Sequence, residues 1–184
     1  MACNITRGRL EPCKNNVGGL KMAYAINYVP DAFTVTNGVA SAISVAVDAV
    51  YPFELRSDSN TLVESLVADR NNGTKVNTQT LTIALKKQDS ETALQVDLMA
   101  EGRPIFIVRD NNNRYRIVGL SDGMDLSGSD ITSGGARGDF NGYNLTFTAT
   151  EGELAPYLDE ATVTALLALV VDPNAPIPDP GDDA

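Results

Sequence analysis

Residues 61–87, TLVESLVADRNNGTKVNTQTLTIALKK, decide the fold because they form two β-strand patterns around one turn signal. Asn72-Gly73 lies at the centre of the stretch, and this pair favours the positive φ angles of a two-residue type I′ turn. Such a turn predicts a long β-hairpin in which Val67 faces Thr78. Side chains alternate across a strand, so one surface of the hairpin is rich in threonine, serine and valine, and the other is apolar at its base.

The outer half of this hairpin carries too few apolar side chains to be held by a core of its own. Towards the turn, the apolar surface gives way to Ala68, Asn77 and Gln79. An isolated two-stranded ribbon is only marginally stable in water. The tip is therefore either an exposed arm of a monomer or is completed by a neighbouring subunit. Glu64 interrupts the apolar surface, where it either pairs with a cation of a neighbour or lies exposed at the rim.

The composition of the 184-residue chain indicates one β-rich globular domain, with 43% hydrophobic and 21% charged residues. The chain contains no histidine, which removes histidine-based triads, proton shuttles and metal sites and makes an enzyme the least favoured class. Cys3 and Cys13 both lie close to the N-terminus, so they form neither a disulfide framework nor, without other soft ligands, a zinc site. Either one disulfide or two reduced thiols fits this spacing.

The net charge of −10 is concentrated in residues 151–184, which contain acidic residues and no lysine or arginine. This distribution argues against sequence-independent binding of nucleic acid, which needs cationic contacts to phosphate. It remains compatible with a surface past which DNA slides, because a negative wall repels phosphate. The first ten residues show no apolar core of a signal peptide, and no apolar run is long enough to span a membrane, so no membrane partner is expected.

Runs that are apolar, or that alternate between apolar and polar residues, predict further strands. Asn37-Gly38 is a second tight-turn signal. Two of the strands, 105–108 and 115–120, are apolar on both faces, which favours positions in the middle of a sheet or under the helix. The predicted strands span residues 22–29, 33–36, 41–48, 51–56, 105–108, 115–120 and 143–150.

One helix is predicted from about residue 91 to 101, with Asp89 or Ser90 as its N-cap and Gly102 at its end. Its apolar residues, which include Leu94 and Leu98, recur at helical spacing. A second capped run, 159–171, is compatible with a short helix or with a final strand. These elements predict a mainly β fold, an antiparallel β-sandwich or barrel with one flanking α-helix and a long projecting β-hairpin.

The segment 121–142 is rich in glycine and is expected to be a long loop, either functional or disordered. Its acids Asp122, Asp125 and Asp130 do not match a calcium-binding loop, and solvated loop carboxylates are the favoured interpretation. Its run SGGARG lacks the lysine and hydroxyl residue of a phosphate-binding loop. The expected domain organisation is an N-terminal arm (1–21), a β domain (22–171) and an acidic, proline-rich tail (172–184).

Three stretches, 72–83 (NGTKVNTQTLTI), 138–147 (GDFNGYNLTF) and 1–14 (MACNITRGRLEPCK), carry a resemblance to a known family. The first looks like the hairpin of the tail tube proteins of tailed bacteriophages. The second resembles the closing strand of virion proteins from phages of the Bacteroidetes type, and the third is similar to N-termini from the same phages. The overall pattern of a β-rich domain with one helix, a long hairpin and a long loop resembles the tail tube fold.

In that family, subunits close into rings, usually hexamers, and the stacked rings enclose a DNA channel lined by an inner β-barrel. The resemblance implies a virion structural protein of the tail, assembled in the host cytoplasm, with copies of itself and other virion tail proteins as partners. DNA is only passing cargo, and no cofactor, metal or catalytic residue is implied. The residues expected at subunit and ring interfaces are Val67, Asp69, Arg70, Asn72, Gly73, Thr74, Lys75, Val76, Thr78, Asp125, Ser129 and Arg137.

Two alternatives to a tail tube remain open at this point. The first is a neck, connector or tail-terminator protein of the same fold, which would form one ring instead of a stacked tube. The second is a carbohydrate-binding β-sandwich or adhesin, although sugar platforms use exposed aromatic side chains and the chain has 6% aromatic residues and no tryptophan.

Overall fold

A computed structural model describes residues 4, 5, 7–11 and 13–173, in which the chain is mainly β, with two sheets and two helices. Most of the predicted tail, from residue 174 onward, lies outside the described residues. The elements are β1 (Leu20–Ile26), β2 (Phe33–Thr36), β3 (Val39–Ile43), β4 (Tyr51–Glu54), β5 (Thr61–Asp69), β6 (Thr74–Lys86), α1 (Ser90–Glu101), β7 (Ile105–Asp110), β8 (Tyr115–Val118), β9 (Asp125–Thr132), β10 (Gly142–Glu151), β11 (Tyr157–Leu158) and α2 (Glu160–Ala168).

The strands form a seven-stranded sheet in the order β2-β3-β11-β8-β7-β1-β4 and a four-stranded sheet in the order β5-β6-β10-β9. Every neighbouring pair of the four-stranded sheet is antiparallel. Neither sheet closes on itself within the described part of the chain, so a barrel inside one subunit is not confirmed. Among the described residues, no strand pairs with the outer sides of β5 and β9, which are therefore the two free edges of the four-stranded sheet.

The main core lies between the two sheets. Alternate residues of β6 and β10, among them Leu81 and Phe147, pack against the seven-stranded sheet. Phe147 contacts Phe106 of β7, with 4.7 Å between the ring centroids. A second core cluster lies on the other side of β7 and β8, where Ile107 packs in the same cluster as Leu166 of α2. The prediction that β7 and β8 are central strands is therefore confirmed.

β5 and β6 pair in a register that differs from the predicted one. Val67 lies opposite Val76 and not Thr78, so the predicted register is wrong by two residues. The connection has four residues instead of two, and it is held by Asp69, whose Oδ1 accepts a hydrogen bond from the Asn71 backbone N–H at 2.7 Å. An even displacement leaves each side chain on its predicted surface, because the side-chain period of a strand is two.

The described part of the chain contains two helices, where the predicted fold has one flanking helix. The predicted α1 is confirmed with Asp89 as its N-cap, and the ambiguous run after Asp159 is the helix α2. The core-facing residues of α1 include Val96 and Met99.

Two other segments differ from prediction. The glycine-rich segment 121–142 is not a continuous loop, because β9 forms within it and pairs with β10. The strand expected at 41–48 instead ends at Ile43, since the Ser44 hydroxyl accepts a hydrogen bond from the Ala46 N–H and the chain turns there. The Asn37-Gly38 turn forms as expected, with positive φ at both residues.

Candidate functional site

One face of the four-stranded sheet is covered by threonine. The registers of the three strand pairs place these side chains side by side on β5, β6, β10 and β9, opposite the face that packs in the core. The central threonines are half-buried and those nearer the ends are exposed. We call this surface the threonine face; its threonines are Thr61, Thr74, Thr78, Thr80, Thr82, Thr132, Thr146, Thr148 and Thr150.

The threonine face carries few charges and more acids than bases. Asp69, Asp125 and Asp130 lie on it by register, with Lys86 at the end far from the hairpin turn. Val63 and Val67 are its exposed apolar residues on β5, at 56% and 63% exposure. Hydroxyl groups therefore dominate a broad surface that no described element covers, and such a surface is strongly hydrated.

The opposite face of the same hairpin contains a buried polar network, which corrects the rim-exposed interpretation of Glu64. The Glu64 side chain is 14% exposed and its Oε2 lies 3.3 Å from Arg116 Nη1. Its Oε1 accepts hydrogen bonds from Asn77 Nδ2 at 2.9 Å and from the Ala155 backbone N–H at 2.7 Å. Gln79 is also buried, and its Oε1 accepts a hydrogen bond from the Gly119 N–H.

This network means that the outer half of the hairpin is held by its own subunit further than expected. Support ends beyond Asn77, because Leu66 is 48% exposed and Lys75 and Ala68 are exposed. The part of the hairpin without cover is therefore the last few residues on either side of the turn.

The two edges of the four-stranded sheet differ in how far they are protected against further pairing. On β9 the register shifts where it pairs with Thr146 and Phe147, so the strand is irregular there. Its exposed Asp125 and Asp130 and the small Gly128 also oppose uncontrolled pairing. β5, in contrast, is nine residues long and pairs without a bulge, so it offers a regular and partly apolar edge.

The predicted interface residues do not form one patch. Most of them lie around the turn of the β5–β6 hairpin, at one end of the four-stranded sheet. Asp125 and Ser129 lie on β9, at the opposite edge of the same sheet. Arg137 lies in the loop between β9 and β10, at the end of the sheet far from the hairpin turn. The predicted interface residues therefore lie at both edges and both ends of the four-stranded sheet.

The backbone of the loop that contains Arg137 forms hydrogen bonds with the side chain of Asp139, in the same loop. Asp139 Oδ2 accepts hydrogen bonds from the backbone N–H groups of Ala136 at 2.7 Å and Gly135 at 2.9 Å. These two hydrogen bonds hold the pKa of Asp139 below its usual value, and the bond from Ala136 has the larger effect. The N–H groups that a phosphate would need are thus already occupied.

A small cavity of about 230 Å³ lies beside the polar network and is lined by Gln79, Ser121 and Glu151 among others. Both carboxylate oxygens of Glu151 accept hydrogen bonds from Ser121. In the described ranges, no three histidine, cysteine or acidic side chains come together in a way that could hold a metal ion. No helix of the described chain is long and apolar enough to cross a membrane.

Comparisons with protein-family models, with curated proteins and with solved structures found no match to this chain.

Proposed function

We propose that this chain is a structural subunit that assembles through the edges of its four-stranded sheet into rings, and that the stacked rings form the tail tube of a bacteriophage. The observation that carries the proposal is the pair of free edges, β5 and β9, on a fully antiparallel sheet. An even number of antiparallel strands makes the two outer strands run in opposite directions. β9 of one copy would therefore meet β5 of the next copy in antiparallel orientation.

Repeated joining of this kind would produce a continuous barrel and would remove both free edges. The edge interface is heterologous, so it generates a ring when the rotation between copies closes. The regular, partly apolar β5 would be paired in the assembly, and Val63 and Val67 would lie beside the neighbouring strand.

The size of such a barrel supports a hexamer over a trimer. Six copies would contribute about 24 strands, which at about 4.8 Å per strand gives a backbone diameter of roughly 37 Å before strand tilt is included. Three copies would contribute about 12 strands and a diameter of roughly 18 Å, which side chains would largely fill. Only the larger ring leaves a bore wide enough for a DNA duplex.

The position of the core determines which face would line that bore. One face of the four-stranded sheet is packed against the seven-stranded sheet, so that larger sheet would lie outside the barrel. The threonine face would then line the channel. Its neutral hydroxyl groups and few acids would stay hydrated and would offer phosphate few cationic contacts, with Lys86 at one end of the face, so DNA would slide past.

The ends of the sheet are suited to stacking of one ring on the next. The hairpin turn, with Asp69, Arg70 and Lys75, lies at one end, and the loop with Arg137 lies at the other. Contacts between unlike ends are heterologous and continue without limit, which yields a tube.

The test is the mass of the purified protein by light scattering, over a range of concentrations, with negative-stain images of the same samples. Rings or tubes of uniform bore are the expected result. A chain that stays monomeric up to millimolar concentration would contradict the proposal. Single rings that never stack would favour a neck, connector or tail-terminator protein.

A further inference from the structure

Helix α1 presents an apolar stripe framed by acids to solvent. Leu94 and Leu98 are 46% and 52% exposed and lie one turn apart on the same side of the helix. Glu91, Asp97 and Glu101 lie on that side too, by helical spacing, and all three are exposed. We call these five residues the α1 outer stripe. Among the described residues none of its acids forms an ion pair, and α1 itself contains no lysine or arginine.

The N-terminal arm has the complementary chemistry. Residues 1–16 carry three basic residues and one acid, a net charge of +2 in a chain whose total is −10. Arg7, Arg9 and Lys14 are exposed, and so are Ile5 and Leu10, at 94% and 92%. The described part of the arm therefore offers exposed apolar side chains and cations, which complement the exposed leucines and acids of the α1 outer stripe.

The root of the arm is anchored to two asparagines that follow β7. The Val17 N–H donates to Asn112 Oδ1 at 3.0 Å, and Asn112 Nδ2 donates to the Val17 carbonyl at 2.7 Å. Asn111 Nδ2 donates to the Gly18 carbonyl. Asn111 and Asn112 lie between β7 and β8, so the arm starts from that turn.

We propose that the N-terminal arm of one copy docks on the α1 outer stripe of a second copy. Leu10 would cover Leu94 and Leu98, and the flanking arginines would face the acids of the stripe. The α1 helix of the same copy carries this stripe, yet Ile5 and Leu10 of that copy stay exposed, which favours a partner copy as the site. This contact is separate from the sheet edges, so it would link copies whether or not they close into a ring.

Cross-linking through the exposed Cys13 tests the contact directly. In a Cys3→Ser background, Cys13 is the only thiol, and a second thiol is introduced at either end of α1 by Ser90→Cys or by Glu101→Cys. The matched control is Val45→Cys, because Val45 is 102% exposed and lies outside α1. After mild oxidation, we expect disulfide-linked dimers and larger species for at least one α1 variant and not for the control.

Two results would overturn the proposal: a disulfide formed within one chain, or no disulfide at either α1 position.

A charge exchange supplies an independent readout. Arg7→Glu with Arg9→Glu should weaken self-association about tenfold in 50 mM salt, as expected for the loss of two exposed ion pairs. Adding Glu91→Lys and Glu101→Lys should restore it. Absence of restoration, with all variants folded by circular dichroism, would also contradict the docking.

Discussion

The Glu64 carboxylate accepts a hydrogen bond from the Ala155 backbone N–H, 91 residues further along the chain, at 2.7 Å. The same carboxylate accepts a hydrogen bond from Asn77 Nδ2 and lies 3.3 Å from Arg116 Nη1. One side chain therefore ties β5, β6, β8 and the segment before β11 together. Everything beyond this point towards the turn of the hairpin is less supported by its own subunit.

Glu64→Ala should lower the free energy of unfolding by about 2–4 kcal/mol, because Arg116 and the Ala155 N–H lose their acceptor and Asn77 Nδ2 keeps only the Glu153 carbonyl. Glu64→Gln should cost less, since the amide oxygen still accepts. Urea denaturation measures both. The control Glu54→Ala, which breaks the exposed Glu54–Arg56 pair, should change stability by no more than about 0.5 kcal/mol. Equal effects at the two positions would refute the role of the network.

Val63→Lys combined with Val67→Lys should abolish ring formation while lowering the midpoint of urea unfolding only slightly. Both valines are more than half exposed on β5, so the subunit loses little packing, whereas a paired edge would have to accommodate two ammonium groups. Sedimentation velocity of the variant beside Val45→Lys, a fully exposed control, measures the effect. Unchanged assembly of the edge variant would rule out pairing through β5.

Thr148→Lys should cause assembled tubes to retain duplex DNA in 50 mM salt and to release it as the salt rises. Thr148 lies near the middle of the threonine face, so each copy would add one cation to the wall of the bore. Filter binding with the wild-type tube and with Val45→Lys tubes provides the comparison. If Val45→Lys retains DNA as strongly, the threonine face does not line the channel.

Asp89→Ala should destabilise the protein by about 1 kcal/mol at neutral pH through loss of the α1 N-cap. The pKa of Asp89 is lowered, first by the hydrogen bond from the Thr92 backbone N–H and next by that from the Thr92 hydroxyl. A folded-state pKa below the unfolded value of about 3.9 stabilises the fold above that pH. The difference from wild type should therefore shrink as pH falls below about 4. Asp89→Asn also caps the helix but does not titrate, so the difference in stability between Asp89→Asn and Asp89→Ala should persist below about pH 4.

Gly142→Ala should be strongly destabilising, because an added Cβ would overlap the carbonyl oxygen of Leu85, where β10 begins its pairing with β6. Gly128→Ala is the matched control in the neighbouring strand, since its Cβ would only meet Thr146 at 4.0 Å. Thermal unfolding of the two variants compares them. Similar melting temperatures would show that β10 can shift at its first residue without loss.

Elements with clean local patterns are predictable from sequence. The alternation of residues 143–150 predicts β10 nearly to its bounds, and Asp89 and Gly102 bracket α1 as expected. The hairpin register was not predictable from Asn72-Gly73, because Asp69 caps a longer turn that the pair alone does not reveal.

Features that depend on residues far apart in the chain could not be predicted from local sequence patterns. β9 contains glycine and aspartate, which disfavour strands, and it forms because β10 provides a partner edge. The Glu64 network needs a backbone N–H from a segment 91 residues away, and no local pattern predicts that contact. The threonine repeats were visible, but their assembly into one face required the register of three strand pairs.

The order of the strands along the chain determines when each edge of the four-stranded sheet forms during synthesis. β5 and β6 are complete at residue 86, whereas β10, which pairs with β6, begins at residue 142. At about 5–20 residues per second, a ribosome needs roughly 3–11 s to cover that interval. During this time the nascent hairpin has no β9 edge to offer a neighbour on the same messenger RNA. Head-to-tail joining through β9 would thus wait until synthesis has passed β10, so assembly would begin later than formation of the hairpin.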